Sequence, residues 1–250
     1  MSLVTTRAIL FRAYAYSESS QVLRFYTEDL GLVGVMARGA RKQASKGRGA
    51  VDTFGEGTIV LSYRPTRELQ SMREYSPLVS RLDLGRSLAR LSAASVLAEI
   101  VLKHAGQERH PELFSSLSGA LDDLARVGDG DLMPSFLARA WHVVQLLGFS
   151  PELSNCTECG RGLTREEMSA FDLVAGGVCC GACPTGSESR RLGPVAREQL
   201  SALVEGTIPV ELIKPQAHLS LLDDFVTVHM LGGRRLQSFQ FLRGVVHASS

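Results

Sequence analysis

Two cysteine pairs constrain this chain more than any other feature. Cys156-Thr157-Glu158-Cys159 and Cys180-Gly181-Ala182-Cys183 are Cys-x-x-Cys knuckles with 20 residues between them. The two-residue spacing turns both sulfurs of a knuckle toward one point, helped by tight turns at Gly160 and Gly181. Four thiolates arriving as two pairs suit one tetrahedral ion, and Zn²⁺ is the ion that prefers such a set. Four protein sulfurs leave no position for water or substrate, so the pattern predicts a closed, structural site. Its predicted ligands are Cys156, Cys159, Cys180 and Cys183.

Cys179 complicates the count, because it directly precedes Cys180 and could replace it with a spacing of three. Cys180 restores the symmetric spacing and is preferred. Disulfides are one rival, since all five cysteines lie within 28 residues, but an odd count leaves one unpaired. A thioredoxin-like redox pair is another, but no βαβ pattern surrounds either knuckle.

At 250 residues the chain is long for one domain and long enough to bury a sizeable core. A net charge of +1 and a pI near 7.7 exclude a bulk electrostatic attraction to polyanions, so any such partner must be held by a local patch. No basic segment followed by an apolar run opens the sequence. No stretch approaches the roughly 20 apolar residues of a membrane span. With cysteines suited to metal rather than to disulfides, the expected compartment is a reducing cytoplasm.

Residues 1–80 read as strands. Runs at 7–16, 21–26, 32–37, 58–63 and 68–75 are β-rich and separated by turn clusters such as Ser17-Glu18-Ser19-Ser20 and Glu28-Asp29-Leu30-Gly31. Five short strands at close spacing predict a small sandwich or barrel, OB-like in size at about 75 residues.

One connection inside it stands out. Residues 38–49 read RGARKQASKGRG, with Arg38, Arg41, Lys42, Lys46 and Arg48 and no acid. Gly39, Gly47 and Gly49 let the backbone approach a ligand closely. The stretch lacks the Gly-x-x-x-x-Gly-Lys-Ser/Thr order of a nucleotide P-loop. On charge alone it is a solvated loop or a phosphate contact. On a barrel whose faces and loops hold single strands, phosphate contact is the stronger reading. The aromatics Phe11, Tyr14, Tyr16, Phe25 and Tyr26 could stack bases, but core packing is the better expectation for each.

Residues 81–150 change to helical period. Leu84, Leu88, Leu91, Ala94, Ala98, Val101 and Leu102 form one apolar stripe. Leu113, Phe114, Leu117, Leu121 and Leu124 form a second after Pro111. Leu137, Ala140, Trp141, Val144 and Leu147 form a third after Pro134. Residues 151–193 hold the cysteine segment, with Gly176-Gly177 turning a short hairpin that carries the second knuckle. Residues 194–250 return to helix, with candidates at 195–203, 219–231 and 236–246, expected to pack on the helices of 84–147.

No catalytic constellation emerges. His110-Pro111-Glu112 with Cys156-x-x-Cys159 superficially matches a zinc deaminase signature, but Asn155 rather than Pro precedes Cys156. The second knuckle would also have no task there. Neither a Gly-x-Ser-x-Gly elbow nor a His-Glu-x-x-His motif is present. The acid pairs Glu166-Glu167 and Asp223-Asp224 read as solvated faces. The chain is therefore read as a non-enzymatic binder.

A basic-looped barrel, a helical body and an inserted pair of knuckles, in that order, resemble the bacterial RecO family of recombination-mediator and DNA-repair proteins. The local marks are Ala8-Ile9-Leu10, Glu18-Ser19-Ser20, Thr27-Glu28-Asp29-Leu30-Gly31, Ala37-Arg38-Gly39-Ala40-Arg41-Lys42, Leu147-Gly148-Phe149-Ser150-Pro151 and Gly176-Gly177. Each is weak alone; together and in order they are specific. The resemblance implies an α+β multidomain chain: an OB-fold over 1–80, a helical domain over 81–150 and 194–250, and a four-cysteine Zn²⁺ module over 151–193. It implies binding of single- and double-stranded DNA, strand annealing, and loading of recombinase onto strands coated by single-strand-binding protein. It implies RecR and the acidic tail of single-strand-binding protein as partners, and a cytoplasmic, nucleoid-associated location with no membrane and no nucleotide cofactor. The rival from another class is a zinc-ribbon adaptor that binds only protein.

Overall fold

The computed structural model describes residues 2–38, 51–183, 186 and 189–248. The chain forms two compact units, Met1–Arg126 and Val127–Ser250.

The first unit begins with five strands: β1 (Ser2–Ala15), β2 (Gln21–Thr27), β3 (Gly31–Ala37), β4 (Glu56–Tyr63) and β5 (Leu69–Val79). Their order is β1-β2-β3-β5-β4, and β1 also pairs with β4, so the sheet closes on itself. Every contact is antiparallel except β3 with β5, which run parallel over Gly34–Met36 and Leu69–Ser71. The long β1 is the seam: its first half pairs with β4 and its second with β2, with a register shift between Leu10 and Arg12. All five strands expected from the sequence are present.

Ala8, Leu10, Leu23, Phe25, Val33, Val35, Ala37, Ile59 and Leu61 fill the interior. The imperfect alternation of β1 has a physical cause. Ile9 and Phe11 are buried as well as Ala8 and Leu10, because the outer surface there is also covered. Phe11 stacks on Tyr26 at 6.1 Å between ring centroids, and Tyr26 stacks on Phe114 at 6.3 Å. Phe114 belongs to α2 (Pro111–Arg126), which follows α1 (Leu88–His104). Both helices share the unit of the barrel. Gly31 needs to be glycine: its φ is +61°, and a Cβ there would meet the Gly106 carbonyl oxygen at 2.5 Å.

Helix α1 starts at Ser87, whose hydroxyl accepts the Ala89 N–H at 3.2 Å. The stripe read on α1 needs correction at its start. Leu88 and Leu91 are exposed, and burial begins at Ala93. The α2 stripe of Leu113, Phe114, Leu117, Leu121 and Leu124 is buried throughout, as its period requires.

The second unit holds α3 (Leu132–Leu146), a three-stranded sheet, and α4 (Pro194–Val204), α5 (Pro215–Phe225) and α6 (Gln237–Ala248). Helix α3 ends before Gly148, whose φ is +91°. Trp141 is fully buried and packs on Phe225 at 5.1 Å. Helix α3 contacts α4 and α5, so of the helices in 84–147 it is α3 that partners the C-terminal ones in this unit. The sheet orders β7 (Gly177–Cys180), β6 (Ser169–Asp172) and β8 (Arg190–Leu192). The β6–β7 hairpin was expected; β8 was not, since three residues carry too short a pattern to read.

Asp223 and Asp224 are not a solvated face. They are 2% and 6% exposed. Arg235 bridges both at 2.9 Å, Arg243 reaches Asp223 at 2.8 Å, and Arg190 pairs with Asp224. Carboxylates tolerate burial when cations and hydrogen bonds replace water, and three arginines do so here.

Candidate metal centre and cationic barrel face

The first knuckle is a tight loop closed by its own backbone. The Cys156 N–H donates to the Arg161 carbonyl at 2.8 Å, and the Gly160 N–H donates to the Cys156 carbonyl at 2.8 Å. Gly160 takes φ +73°, as the turn demands. The Glu152 carboxylate accepts the Ser154 and Asn155 N–H groups at 2.8 and 2.9 Å, and these bonds hold its pKa below the ordinary value. The second knuckle leaves the end of β7 and turns so that the Cys183 N–H donates to the Cys180 carbonyl at 3.3 Å.

The two loops dock by main-chain bonds. Thr157 N–H donates to Val178 O at 2.9 Å, and Val178 N–H donates to Glu152 O at 2.8 Å. Gly177 permits this approach, because a Cβ there would meet the Glu152 carbonyl oxygen at 2.5 Å. The Cys156, Cys159, Cys180 and Cys183 sulfurs then lie within 4.8 Å of one another, with Cys159 and Cys180 at 4.0 Å. A tetrahedron with metal–sulfur bonds of about 2.3 Å has sulfur–sulfur edges of about 3.8 Å, so these donors sit near that spacing. All five cysteines are free thiols.

The environment favours the thiolate at Cys156 and Cys180. N–H groups of Cys159 and Cys180 aimed at the Cys156 sulfur pull its pKa down to about 6. The Ala182 N–H, with smaller help from Cys183 and Arg161, lowers that of Cys180. Cys183 moves the other way, because hydrogen bonds to the Cys180 and Cys159 sulfurs retain its proton.

Cys179 stands outside the four-sulfur group. Its sulfur lies 3.1 Å from the Thr157 hydroxyl, and burial pushes its thiol pKa up. Successive strand residues point to opposite faces, so β7 presents Cys180 to the cluster and turns Cys179 away. This group of four is the donor set the knuckle spacing predicted.

Of the five cations read in the basic segment, Arg38 is described: it is exposed, just past the end of β3. Arg41, Lys42, Lys46 and Arg48 lie outside the described residues. Phe11, Phe25 and Tyr26 are buried, whereas Tyr14 and Tyr16 are 48% and 68% exposed.

The barrel adds two cations that sequence reasoning missed. Arg12 of β1 sits directly opposite Arg24 of β2, and Arg24 opposite Gly34 of β3. The Arg24 guanidinium lies across Gly34, 3.2 Å from where a Cβ would stand. Neither Arg12 nor Arg24 pairs with an acid among the described residues. Tyr14, two residues along from Arg12, is part of the same exposed strand end. The available signal was two arginines in adjacent strands of one hairpin, which becomes a pair once the register is known.

Family comparison accounts for both units. The model described as Recombination protein O N terminal matches residues 1–81, and that described as Recombination protein O C terminal matches residues 85–230. The chain belongs to the RecO family. A DNA repair protein RecO from Rhodopirellula baltica is 35% identical over 70% of this chain and 65% of its own length. One from Chlorobium phaeobacteroides is 30% identical over 92% of this chain and 93% of its own. One from Synechococcus sp. is 31% identical over 84% and 72%. Within the family's N-terminal region lie the barrel and the Arg12–Arg24 pair; within its C-terminal region lie the four cysteines. Among the described residues no helix is long and apolar enough to cross a membrane.

Proposed function

We propose that this protein is a DNA-repair and recombination mediator that holds DNA strands on the barrel by their phosphates. The observation that carries this reading is the Arg12–Arg24 pair. Like charges directly opposite in a sheet repel and weaken it. An arrangement that leaves Arg12 exposed and Arg24 half-buried, both without an acid partner among the described residues, makes sense when an outside anion completes it. Arg38 at the end of the neighbouring strand extends the row, and Arg41, Lys42, Lys46 and Arg48 follow it in the sequence. The strand order and size of the barrel support an OB-fold reading, and Tyr14 and Tyr16 offer exposed rings for stacking bases.

Such a surface reads charge and not sequence. Two strands brought to one cationic face lose mutual repulsion, and pairing proceeds without ATP or a catalytic residue. Family membership supports binding of single- and double-stranded DNA, annealing, and loading of recombinase together with RecR and the tail of single-strand-binding protein, in the bacterial cytoplasm.

Cys156, Cys159, Cys180 and Cys183 would hold Zn²⁺, for which four thiolates are the preferred donors. The ion supplies a structural cross-link between the knuckles. The chain's own part is to aim N–H groups at the sulfurs and to keep Cys179 out of the site.

The test is salt-dependent fluorescence anisotropy with a labelled single strand. Wild type is compared with Arg12→Glu/Arg24→Glu and with Arg38→Glu/Arg41→Glu/Lys42→Glu. If each reversed residue is a phosphate contact, the slope of log K against log salt flattens by roughly 0.7 per contact. Unchanged affinity and slope in both variants would favour the protein-only adaptor.

A further inference from the structure

A cavity of about 460 Å³ opens in the second unit, within the size range of small-ligand sites. Its walls include Phe171, Leu192, Val195, Ile213, Ala217 and Leu221. Val195 and Ile213 are about half exposed, at 54% and 48%. The polar features are few and all suit an anion. Arg191 and Lys214 line the cavity and have no ion-pair partner among the described residues. Arg190 lines it too, though its charge is shared with Asp224.

Two helices begin at this cavity. Helix α4 starts after Gly193 and α5 after Lys214, and neither start has a side-chain cap. The first-turn N–H groups of an uncapped helix point outward and carry partial positive charge. Pro194 and Pro215 bring no N–H, and the Ala217 N–H donates to the Lys214 carbonyl at 2.9 Å, so the outward N–H groups belong to Val195 and Ala196 of α4 and Gln216 of α5. Lys214 takes a left-handed φ of +51° to enter α5.

The independent observation is His218. It is 4% exposed, lines the cavity, and its imidazole has no hydrogen-bond partner among the described residues. Its ring nitrogens are not among the fully buried unpartnered atoms, so they open to the cavity, where water or a ligand meets them. Burial holds its pKa below the ordinary value, so at neutral pH it offers one N–H and one lone pair.

We infer that this cavity takes a 5′-phosphorylated terminal nucleotide: the phosphate between Arg191, Lys214 and the two helix starts, the base and sugar between Val195 and Ile213. The charge decides for phosphate over carboxylate. Two unpaired cations and two helix starts exceed what one negative charge needs, and a phosphate monoester carries nearly two at neutral pH. An internal phosphodiester carries one, so the site distinguishes a strand end from its middle. The same chemistry can come from a strand end or from a free mononucleotide. The strand-end source rests on the DNA-binding reading above; the free-nucleotide source does not.

The experiment uses the full chain at constant salt. Strands of one sequence with a 5′-phosphate or a 5′-hydroxyl are compared by anisotropy, and a deoxynucleoside 5′-monophosphate is compared with its nucleoside by titration calorimetry. Wild type and Arg191→Glu/Lys214→Glu are both measured, with folding checked by circular dichroism. The expected result is an about tenfold preference for the 5′-phosphate, from four weak electrostatic contacts together, abolished in the variant. If strands bind equally whatever their end, and the monophosphate does not bind, the inference is overturned while DNA binding by the barrel stands. If no strand binds but the monophosphate does, the pocket stands with the free nucleotide as its ligand and the DNA reading falls. If 3-phenylpropionate binds more tightly than phenyl phosphate, the pocket is a carboxylate site and the phosphate assignment is wrong.

Discussion

Arg81 and Glu56 form an ion pair at 3.3 Å in which both side chains are 1% exposed. Arg81 also donates to the Phe54 carbonyl at 2.9 Å, to the Ser118 hydroxyl at 2.8 Å and to Asp122 at 2.7 Å. Glu56 in turn accepts from Arg7 and from Ser118, each at 2.5 Å. The network ties β4 to α2, which explains why the first two helices share the barrel's unit. Breaking a buried pair costs about 3–5 kcal/mol, and because Arg7 still faces Glu56 the loss sits at the lower end. Arg81→Met should therefore destabilise the protein by about 3 kcal/mol or more, read from urea unfolding. Arg81→Met/Glu56→Gln should recover part of that loss, because no buried charge is then stranded.

Glu56 also predicts an acid dependence. Burial alone would raise its pKa, but hydrogen bonds from Ser118 and Arg7 and the charges of Arg7 and Arg81 hold it below the ordinary value. A carboxylate depressed in the folded state contributes stability that is present above its unfolded pKa, near 4.3, and lost as pH falls through the folded value. Wild-type stability should fall below about pH 4.3 more steeply than that of Glu56→Gln. Parallel curves of unfolding free energy against pH would remove Glu56 as the source.

The two adjacent cysteines should behave oppositely. Cys180→Ser removes a sulfur of the four-membered group, whereas Cys179→Ser alters a thiol outside it. Metal content per chain, measured by mass spectrometry of the purified protein, should collapse in the first and match wild type in the second. Loss of metal in Cys179→Ser would reassign the third ligand.

Reversing one cation of the barrel pair should separate stability from binding. Arg12→Glu places opposite charges across the strands at Arg24, a change worth about 0.2–1 kcal/mol in favour of the fold. The same variant should bind a single strand more weakly. A rise in melting temperature with a fall in DNA affinity would show that the repulsion exists for a ligand. A fall in both would mean that Arg12 has a structural task.

What could be read before folding was local. The five strands, the α2 stripe and the knuckle geometry each depend on residues a few positions apart. Period, turn residues and the reach of two side chains settle them within the segment. The Cys-x-x-Cys spacing predicted a donor set that includes Cys180 for the same reason, since strand alternation separates it from Cys179. Where reading failed, the deciding contact lay far along the chain. Leu88 and Leu91 keep helical spacing but face solvent, while Arg90 between them turns to α2 and donates to the Leu124 carbonyl at 2.8 Å. Asp223 and Asp224 look solvated until Arg190, Arg235 and Arg243 are brought around them.

The sequence by itself determined the class of elements, the order of barrel, helices and knuckles, and the chemistry of the four sulfurs. The tertiary structure alone decided that Arg12 faces Arg24, that Arg81 and Glu56 meet in the interior, and that two helix starts share a cavity with His218. Those arrangements follow from register and packing between segments tens of residues apart, where burial and charge act through space and leave no period in the chain.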